Sequence, residues 1–175
     1  MRYVDKNGIG GYSPIGESVW QCGSLFASEG ERLYDLIIEH KPKKIIEVGT
    51  RWGCSTVHMA TACKHNGFGI IHCYDIEDVH VNFPEDLKPF IKFHHQDYFQ
   101  LKDKTCDLLF EDGAHTTGFT SKVLRETTSK VVAVHDYLHW DCVDTVKDES
   151  ESVLGSPTEV FLHQKSDCGL AIWIK

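Results

Sequence analysis

The feature that most constrains the fold is a short apolar run that ends in a glycine-containing loop and continues into a helical pattern. Lys44-Ile-Ile-Glu-Val48 is rich in β-branched residues, which predicts a buried strand. The loop Gly49-Thr-Arg-Trp-Gly53 follows at once, and a helical pattern then runs from about Ser55 to Lys64, where Asn66-Gly67 ends it. A strand, a tight loop and a helix in this order are typical of the first unit of an α/β domain.

The alternation of strands and helices continues along the rest of the chain. Pro84 and Pro89 leave room for at most a short helix between the second and third strands. The order predicts an α/β chain with a doubly wound, Rossmann-like fold: one mostly parallel sheet of about seven strands, the last pair antiparallel, with helices on both faces. Beyond the first strand and its helix, we predict strands at 70–75, 91–94, 107–112, 130–134, 159–162 and 169–174, and helices at 28–41, 117–127 and 144–149.

Composition narrows the class of protein. A chain of 175 residues with 41% apolar and 25% charged residues is typical of one globular domain. Its 18 Lys and Arg against 26 Asp and Glu give a formal charge of −8. A negative net charge disfavours sequence-independent binding to the phosphate backbone, so we expect no nucleic acid partner. No apolar run reaches the roughly 18 residues of a membrane span, so we expect no membrane partner.

The N-terminal region and the cysteines bear on location and domain organisation. Residues 1–27 are glycine-rich and show no period, so we expect an irregular arm followed by a single domain over 28–175. The first residues are polar, without the basic and apolar stretches of a secretory signal. Seven scattered cysteines with no C-x-x-C pair suit a reducing compartment, and we expect a cytoplasmic protein.

Polar side chains stand where the predicted parallel strands end. Ligands of open α/β sheets bind at the carboxyl ends of the strands, so this pattern predicts a functional site there. Each acid taken alone could instead cap the helix that follows it. The strand-end residues are Glu47, Asp75, Gln96 with Asp97, Asp112, and His135 with Asp136.

The loop from Gly49 to Gly53 excludes two kinds of nucleotide site. A dinucleotide fingerprint, G-x-G-x-x-G, needs glycine where Arg51 stands, and a P-loop needs a Gly-Lys-Ser/Thr that does not follow. Taken alone, the two glycines could serve only close packing of the helix on the strand.

The surrounding residues nevertheless resemble a known family. Glu47-Val-Gly-Thr-Arg-Trp-Gly-Cys-Ser55 resembles motif I of the class I S-adenosylmethionine-dependent methyltransferases, an acid-x-Gly-x-x-x-Gly pattern, and Asp75 stands where that family binds the ribose hydroxyls. The closest resemblance is to the metal-dependent O-methyltransferases of the catechol O-methyltransferase type. Their motif I also lacks the middle glycine, Ser55 matches the serine that holds the methionine carboxylate, and His95-Gln-Asp97 is similar to their adenine-contacting Ser-Gln-Asp.

This resemblance covers about residues 44–137 and implies a Rossmann-like methyltransferase fold. The cofactor it implies is S-adenosylmethionine. The residues that it assigns to the cofactor are Glu47, Gly49, Thr50, Gly53, Ser55, Asp75, Gln96 and Asp97.

The resemblance also implies a divalent metal. Asp112 ends strand four and His135-Asp136 ends strand five, where the family binds magnesium together with the substrate oxygens. The implied ligands are therefore Asp112, His135 and Asp136, with water as the alternative to His135. Carboxylates suit magnesium or manganese, whereas a histidine ligand moves the preference toward manganese, iron or zinc. Capping of the following helices remains the alternative role of both aspartates.

His115 stands three residues after Asp112, at the offset where the family carries its catalytic lysine. The resemblance thus implies that His115 is the general base, beside Asp112, since imidazole can accept a hydroxyl proton near neutral pH. A surface histidine is the alternative. His135-x-x-x-His139-x-x-Cys142 also has a zinc-like spacing, although a strand end at His135 would break the helical register.

The resulting hypothesis is metal-assisted transfer of a methyl group from S-adenosylmethionine to a hydroxyl oxygen of a small molecule or a glycan. The short chain offers little to cover an acceptor, so one alternative is a catalytically degenerate cofactor-binding or assembly module. A homodimer could also cover the open site. Another alternative is a metal-dependent hydrolase or hydroxylase-like protein that uses Asp112, His115, His135 and Asp136.

Overall fold

The computed structural model describes residues 25, 27–78, 83–139, 141, 143–162 and 168–175. The predicted arm over 1–27 lies almost entirely outside these ranges, so its boundary with the domain stays a prediction. Within the described ranges, no helix has the length and apolar character needed to cross a membrane.

Seven strands form one sheet. They are β1 (Lys44–Val48), β2 (Ile70–Asp75), β3 (Ile91–His95), β4 (Leu108–Glu111), β5 (Val131–Val134), β6 (Glu159–Phe161) and β7 (Leu170–Ile174). The strand order across the sheet is β3-β2-β1-β4-β5-β7-β6. Strands β1 to β5 are parallel, whereas β7 runs antiparallel to both β5 and β6. The predicted fold class is confirmed.

In the described part of the chain, four α-helices accompany the sheet: α1 (Ala27–His40), α2 (Cys54–Asn66), α3 (Phe119–Glu126) and α4 (Asp148–Leu154). A π-helical turn precedes α4, which therefore begins later than predicted. In the described part of the β2–β3 connection the helical structure is a single 3₁₀ turn at Lys88–Phe90, in agreement with the two prolines of that segment.

The sheet separates two apolar layers, because successive side chains of a strand point to opposite faces. Ile45 packs on the face covered by α1 and α2, and Ile46 packs on the face covered by α3 and α4. Burying one such side chain stabilises the fold by roughly 1.5–3 kcal/mol. Helix α2 is buried from Ser55 to Cys63 because it lies against both α1 and the sheet.

The two halves of the sheet meet between β1 and β4, where the chain reverses its direction of travel across the sheet. At this point Gly49 has φ 85°, and a Cβ on it would lie 2.1 Å from the carbonyl oxygen of Asp112. Only glycine fits such an approach. The loop after β1 and the turn after β4 are thus in direct backbone contact, at the edge where ligands of such sheets bind.

Candidate functional site

A cavity of about 740 Å³ opens at the carboxyl ends of the parallel strands. Its size is within the range of small-molecule sites, about 300–1,000 Å³. The structure places Glu47, Gly53 and His135 behind its wall. The predicted site residues that line it are Gly49, Thr50, Ser55, Asp75, Gln96, Asp97, Asp112, His115 and Asp136.

Glu47 lies beneath the glycine loop and is fully buried. The Ser55 hydroxyl donates a hydrogen bond to its Oε1 at 2.5 Å, and the Thr56 hydroxyl donates to its Oε2 at 2.6 Å. Burial raises the pKa of Glu47 to about 7, although the two hydroxyls and Cys73 lower it. This carboxyl group therefore fixes the start of α2 from below rather than facing the cavity.

Asp75 holds the glycine loop from the side. Its Oδ2 accepts hydrogen bonds from the backbone N–H groups of Thr50 and Arg51, at 3.0 and 2.9 Å, and its Oδ1 accepts one from Glu77 N–H at 2.9 Å. An ionised carboxylate offers about four acceptor positions, so about one is left, on Oδ1, for a ligand. Asp75 thus organises the loop and still faces the cavity.

Gln96 and Asp97 follow β3 on the same side of the cavity. The Gln96 N–H donates to the Asp75 carbonyl at 2.9 Å, and the Asp97 side chain accepts from Phe99 N–H at 2.9 Å, which starts a 3₁₀ turn. Ile76 lines the cavity beside them and is 72% exposed, which is unusual for so large an apolar side chain. This end of the cavity combines an open apolar wall with polar backbone and side-chain atoms.

Asp112, His115 and Asp136 meet at the opposite end. One ligand atom from each lies within 4.8 Å of the others, and His115 Nε2 lies 3.4 Å from Asp136 Oδ2. Two ligands bound to one cation at about 2.1 Å are at most about 4.2 Å apart, so small side-chain movements would let all three bind a single ion. Two carboxylates and an imidazole suit a divalent metal.

His135, the third predicted metal ligand, lies directly behind the two aspartates and does not line the cavity. Its Nδ1 lies 3.3 Å from Asp112 Oδ1 and 3.5 Å from Asp136 Oδ1, and its Nε2 lies 3.3 Å from Glu29 Oε2. The side chain is 3% exposed, so both ring nitrogens are committed to carboxylates behind the cavity wall. The imidazole that joins the two aspartates in the metal-capable group is His115 instead.

These contacts also set the charge at this end of the cavity. Burial alone would lower the pKa of His135, but the surrounding carboxylates raise it well above its ordinary value. Burial would raise the pKa of Asp136, but the hydrogen bond and charge of His135 hold it below its ordinary value. Asp136 also has φ 54°, a left-handed conformation that aspartate tolerates better than most residues.

Sequence reasoning missed two buried acids. Glu29 falls in the first turn of α1, which begins at Ala27, and its carboxylate faces His135. Glu111 lies on β4; it accepts hydrogen bonds from the Gly113 N–H and the Thr120 hydroxyl, and burial raises its pKa to about 8. An acid inside the apolar run of a strand was the available signal for Glu111.

The zinc-like spacing of His135, His139 and Cys142 is not tested, because Cys142 lies outside the described residues. His139 lines the cavity, together with Cys168 and Leu25, which the sequence did not suggest. The five described cysteines are free thiols, as the scattered spacing predicted.

Comparison with known proteins relates this geometry to one family and one fold. A family model described as a methyltransferase domain matches residues 46–143. No curated protein sequence matches the chain.

Solved structures share the fold at low sequence identity. The O-methyltransferase TomG of Streptomyces achromogenes in complex with SAM is 17% identical, with a TM-score of 0.63 over 89% of this chain and 83% of TomG. An O-methyltransferase from Bacillus cereus in complex with SAH is 14% identical, with a TM-score of 0.61 over 88% of this chain and 84% of the other. CmcI-D160 with Mg-SAM is 15% identical, with a TM-score of 0.55 over 79% and 68% of the two chains.

Proposed function

Because this chain belongs to the methyltransferase domain family, we propose that it transfers the methyl group of S-adenosylmethionine to a hydroxyl oxygen of a small molecule or a glycan, with a divalent metal at the acceptor. One observation carries the proposal. A single cavity is lined at one end by the glycine loop and Asp75, and at the other end by Asp112, His115 and Asp136.

The cofactor end suits an adenosine with an amino-acid tail. The remaining acceptor position of Asp75 can receive one ribose hydroxyl, and the exposed Ile76 offers an apolar surface for a purine ring. Gln96 and Asp97 lie beside that surface. Gly49 and Thr50 let the main chain lie close to the sulfonium, whose positive charge suits the acidic lining.

The methionine carboxylate of the cofactor is assigned to Ser55. In the structure the Ser55 hydroxyl donates to Glu47 at 2.5 Å. When Glu47 is protonated, its own O–H can donate to Ser55 Oγ, and the serine hydroxyl can then donate to the cofactor carboxylate. A pKa of about 7 for Glu47 makes the protonated form available at neutral pH. Glu47 is thus proposed to bind the cofactor through Ser55 rather than directly.

The metal and the base are assigned at the acceptor end. Asp112 and Asp136 would hold the divalent ion, and bound there it would lower the pKa of an acceptor hydroxyl. His115 takes the hydroxyl proton as the methyl group moves. Asp136 Oδ2 lies 3.4 Å from His115 Nε2, so a small movement would let Nε2 donate to it while Nδ1 accepts this proton. Two neighbouring hydroxyls, as in a catechol or a sugar diol, would suit binding to one ion.

Cofactor binding is tested first, by calorimetric titration of the protein with S-adenosylhomocysteine. We expect saturable binding that Asp75→Asn weakens by about 10- to 150-fold, since a lost hydrogen bond to a charged group costs about 1.5–3 kcal/mol. Absence of binding by the wild-type protein would exclude the proposal.

Three variants then separate the metal assignment from the base assignment. Metal binding is measured with Mn²⁺, and methyl transfer is measured with labelled S-adenosylmethionine and a panel of catechols and sugars. Asp112→Asn and Asp136→Asn should weaken Mn²⁺ binding and abolish methyl transfer, while both variants still bind S-adenosylhomocysteine. His115→Ala should abolish turnover and leave Mn²⁺ binding unchanged. Weakened Mn²⁺ binding in His115→Ala would instead make His115 the third ligand, as the closeness of its nitrogen to both carboxylates allows.

Nucleoside binding with no methyl transfer to any acceptor would support the degenerate cofactor-binding module. Full activity in excess chelator would show that methyl transfer needs no metal, and only the metal part of the proposal would fail.

A further inference from the structure

A buried contact joins the first helix to the metal-capable group. Glu29, in the first turn of α1, is fully buried, and its Oε2 lies 3.3 Å from His135 Nε2. The opposite ring nitrogen, Nδ1, lies 3.3 Å from Asp112 Oδ1 and 3.5 Å from Asp136 Oδ1. His135 therefore lies between a carboxylate of α1 and the two carboxylates that face the cavity.

These contacts fix the plane and the direction of the imidazole ring. Carboxylates lie at both ring nitrogens, Glu29 at Nε2 and the two aspartates at Nδ1, so the ring is held from two opposite sides. Neither Glu29 nor His135 lines the cavity, so neither is placed to touch a substrate. Their effect on chemistry must pass through Asp112 and Asp136.

We propose that Glu29 is a positioning residue, which through His135 holds Asp112 and Asp136 at the separation and orientation that bind the divalent ion. The inference rests on the proposed function. Groups that hold metal ligands from behind commonly change metal affinity by about 10–100-fold. Without Glu29 the imidazole loses one of its two anchors, and the aspartates lose the partner that they share.

A second residue of α1, Arg32, provides a control for the possibility that Glu29 only attaches the helix to the rest of the fold. Arg32, one turn after Glu29, forms a two-point ion pair with Glu159 of β6, at 2.9 and 2.8 Å, whereas the charged side chains paired with His135 are Glu29, Asp112 and Asp136. Arg32→Ala therefore loosens the attachment of α1 without touching the site. Glu29→Gln keeps the length of the side chain and an oxygen that can still accept from His135 Nε2.

The test is calorimetric titration of wild type, Glu29→Ala, Glu29→Gln and Arg32→Ala with Mn²⁺, and separately with S-adenosylhomocysteine. Glu29→Ala should bind Mn²⁺ about tenfold more weakly and Glu29→Gln about threefold more weakly. Arg32→Ala should bind Mn²⁺ as the wild type does, and all four proteins should bind the nucleoside within about twofold of one another. Mn²⁺ affinities of the Glu29 variants equal to that of Arg32→Ala would overturn the proposal. If Glu29→Ala does not fold, Glu29→Gln decides.

A failure of the proposed function is distinguishable from a failure of this inference. If the wild type binds the nucleoside but no Mn²⁺, the metal part of the proposed function fails, and the side-chain ¹⁵N signals of the histidines decide the positioning role. The signals of His135 and of His115, which lies 3.4 Å from Asp136, should then move in Glu29→Gln and stay in place in Arg32→Ala. Unmoved signals would overturn the proposal.

Discussion

Replacing the buried Glu47 by glutamine should make the protein more stable at neutral and alkaline pH. Burial raises the pKa of Glu47 from an ordinary 4.5 to about 7. Below pH 4.5 the group is protonated in the folded and unfolded chains alike and contributes nothing to pH dependence. Between pH 4.5 and 7 the unfolded chain loses the proton first, which favours unfolding, and above pH 7 the cost is constant. At 1.36 kcal/mol per pKa unit, the wild type loses about 3 kcal/mol of unfolding free energy over this interval.

The assay is urea denaturation at a series of pH values from 4.5 to 8, for wild type, Glu47→Gln and a control, Glu85→Gln. The glutamine amide can donate to one of the two hydroxyls at this position and accept from the other, so it mimics the protonated acid without titrating. The difference in unfolding free energy between Glu47→Gln and wild type should grow by about 3 kcal/mol as the pH rises to 7. Glu85→Gln, at a side chain that is 87% exposed, controls for the loss of one acidic group, and the growth for Glu47→Gln should clearly exceed the growth for this control. A pH-independent difference for Glu47→Gln would refute the reasoning.

Three further outcomes follow from the fold. Gly49→Ala should lower the unfolding free energy by more than about 2 kcal/mol, because its Cβ would meet a carbonyl oxygen at 2.1 Å. Thermal unfolding is compared with that of Gly118→Ala, where the glycine has φ 84° and open space around it. This comparison separates the effect of the clash from the effect of backbone strain. Asp75→Asn should increase proteolytic cleavage within the glycine loop, since one oxygen accepts two of the loop's N–H groups, and cleavage at the wild-type rate would contradict that role. Arg32→Ala should cost about 1 kcal/mol in urea denaturation, as expected for a partly exposed pair with Glu159, and a cost above about 3 kcal/mol would count against it.

Sequence patterns predicted the fold well because local signals and tertiary packing agree. The run from Lys44 to Val48 is buried on both faces, as a central parallel strand is, and its predicted bounds match β1. Helix α4 was less predictable. A π-helical turn over Val143–Lys147 delays its start, and a pattern based on the α-helical period does not reveal such a turn.

The candidate site was predictable where function and strand ends coincide. Asp75 ends β2, Asp112 follows β4 directly and Asp136 follows β5 by two residues, so the rule for open sheets brings them to one edge. The partner of His135 was not predictable in this way. Glu29 contacts His135 from a helix 106 residues away in sequence. The contact is buried only once α1 has packed on the sheet, so no local sequence pattern reveals it.

The contact between Gly49 and Asp112 has a consequence for how such a protein can diverge. It is made by main-chain atoms, so the spacing between the loop after β1 and the turn after β4 does not depend on which side chains surround it. In the proposed function, substitutions at the rim of the cavity would therefore alter which acceptor enters, while the distance between the cofactor end and the acceptor end stays constant. The sheet would preserve that distance, and the side chains at the rim would set the choice of acceptor.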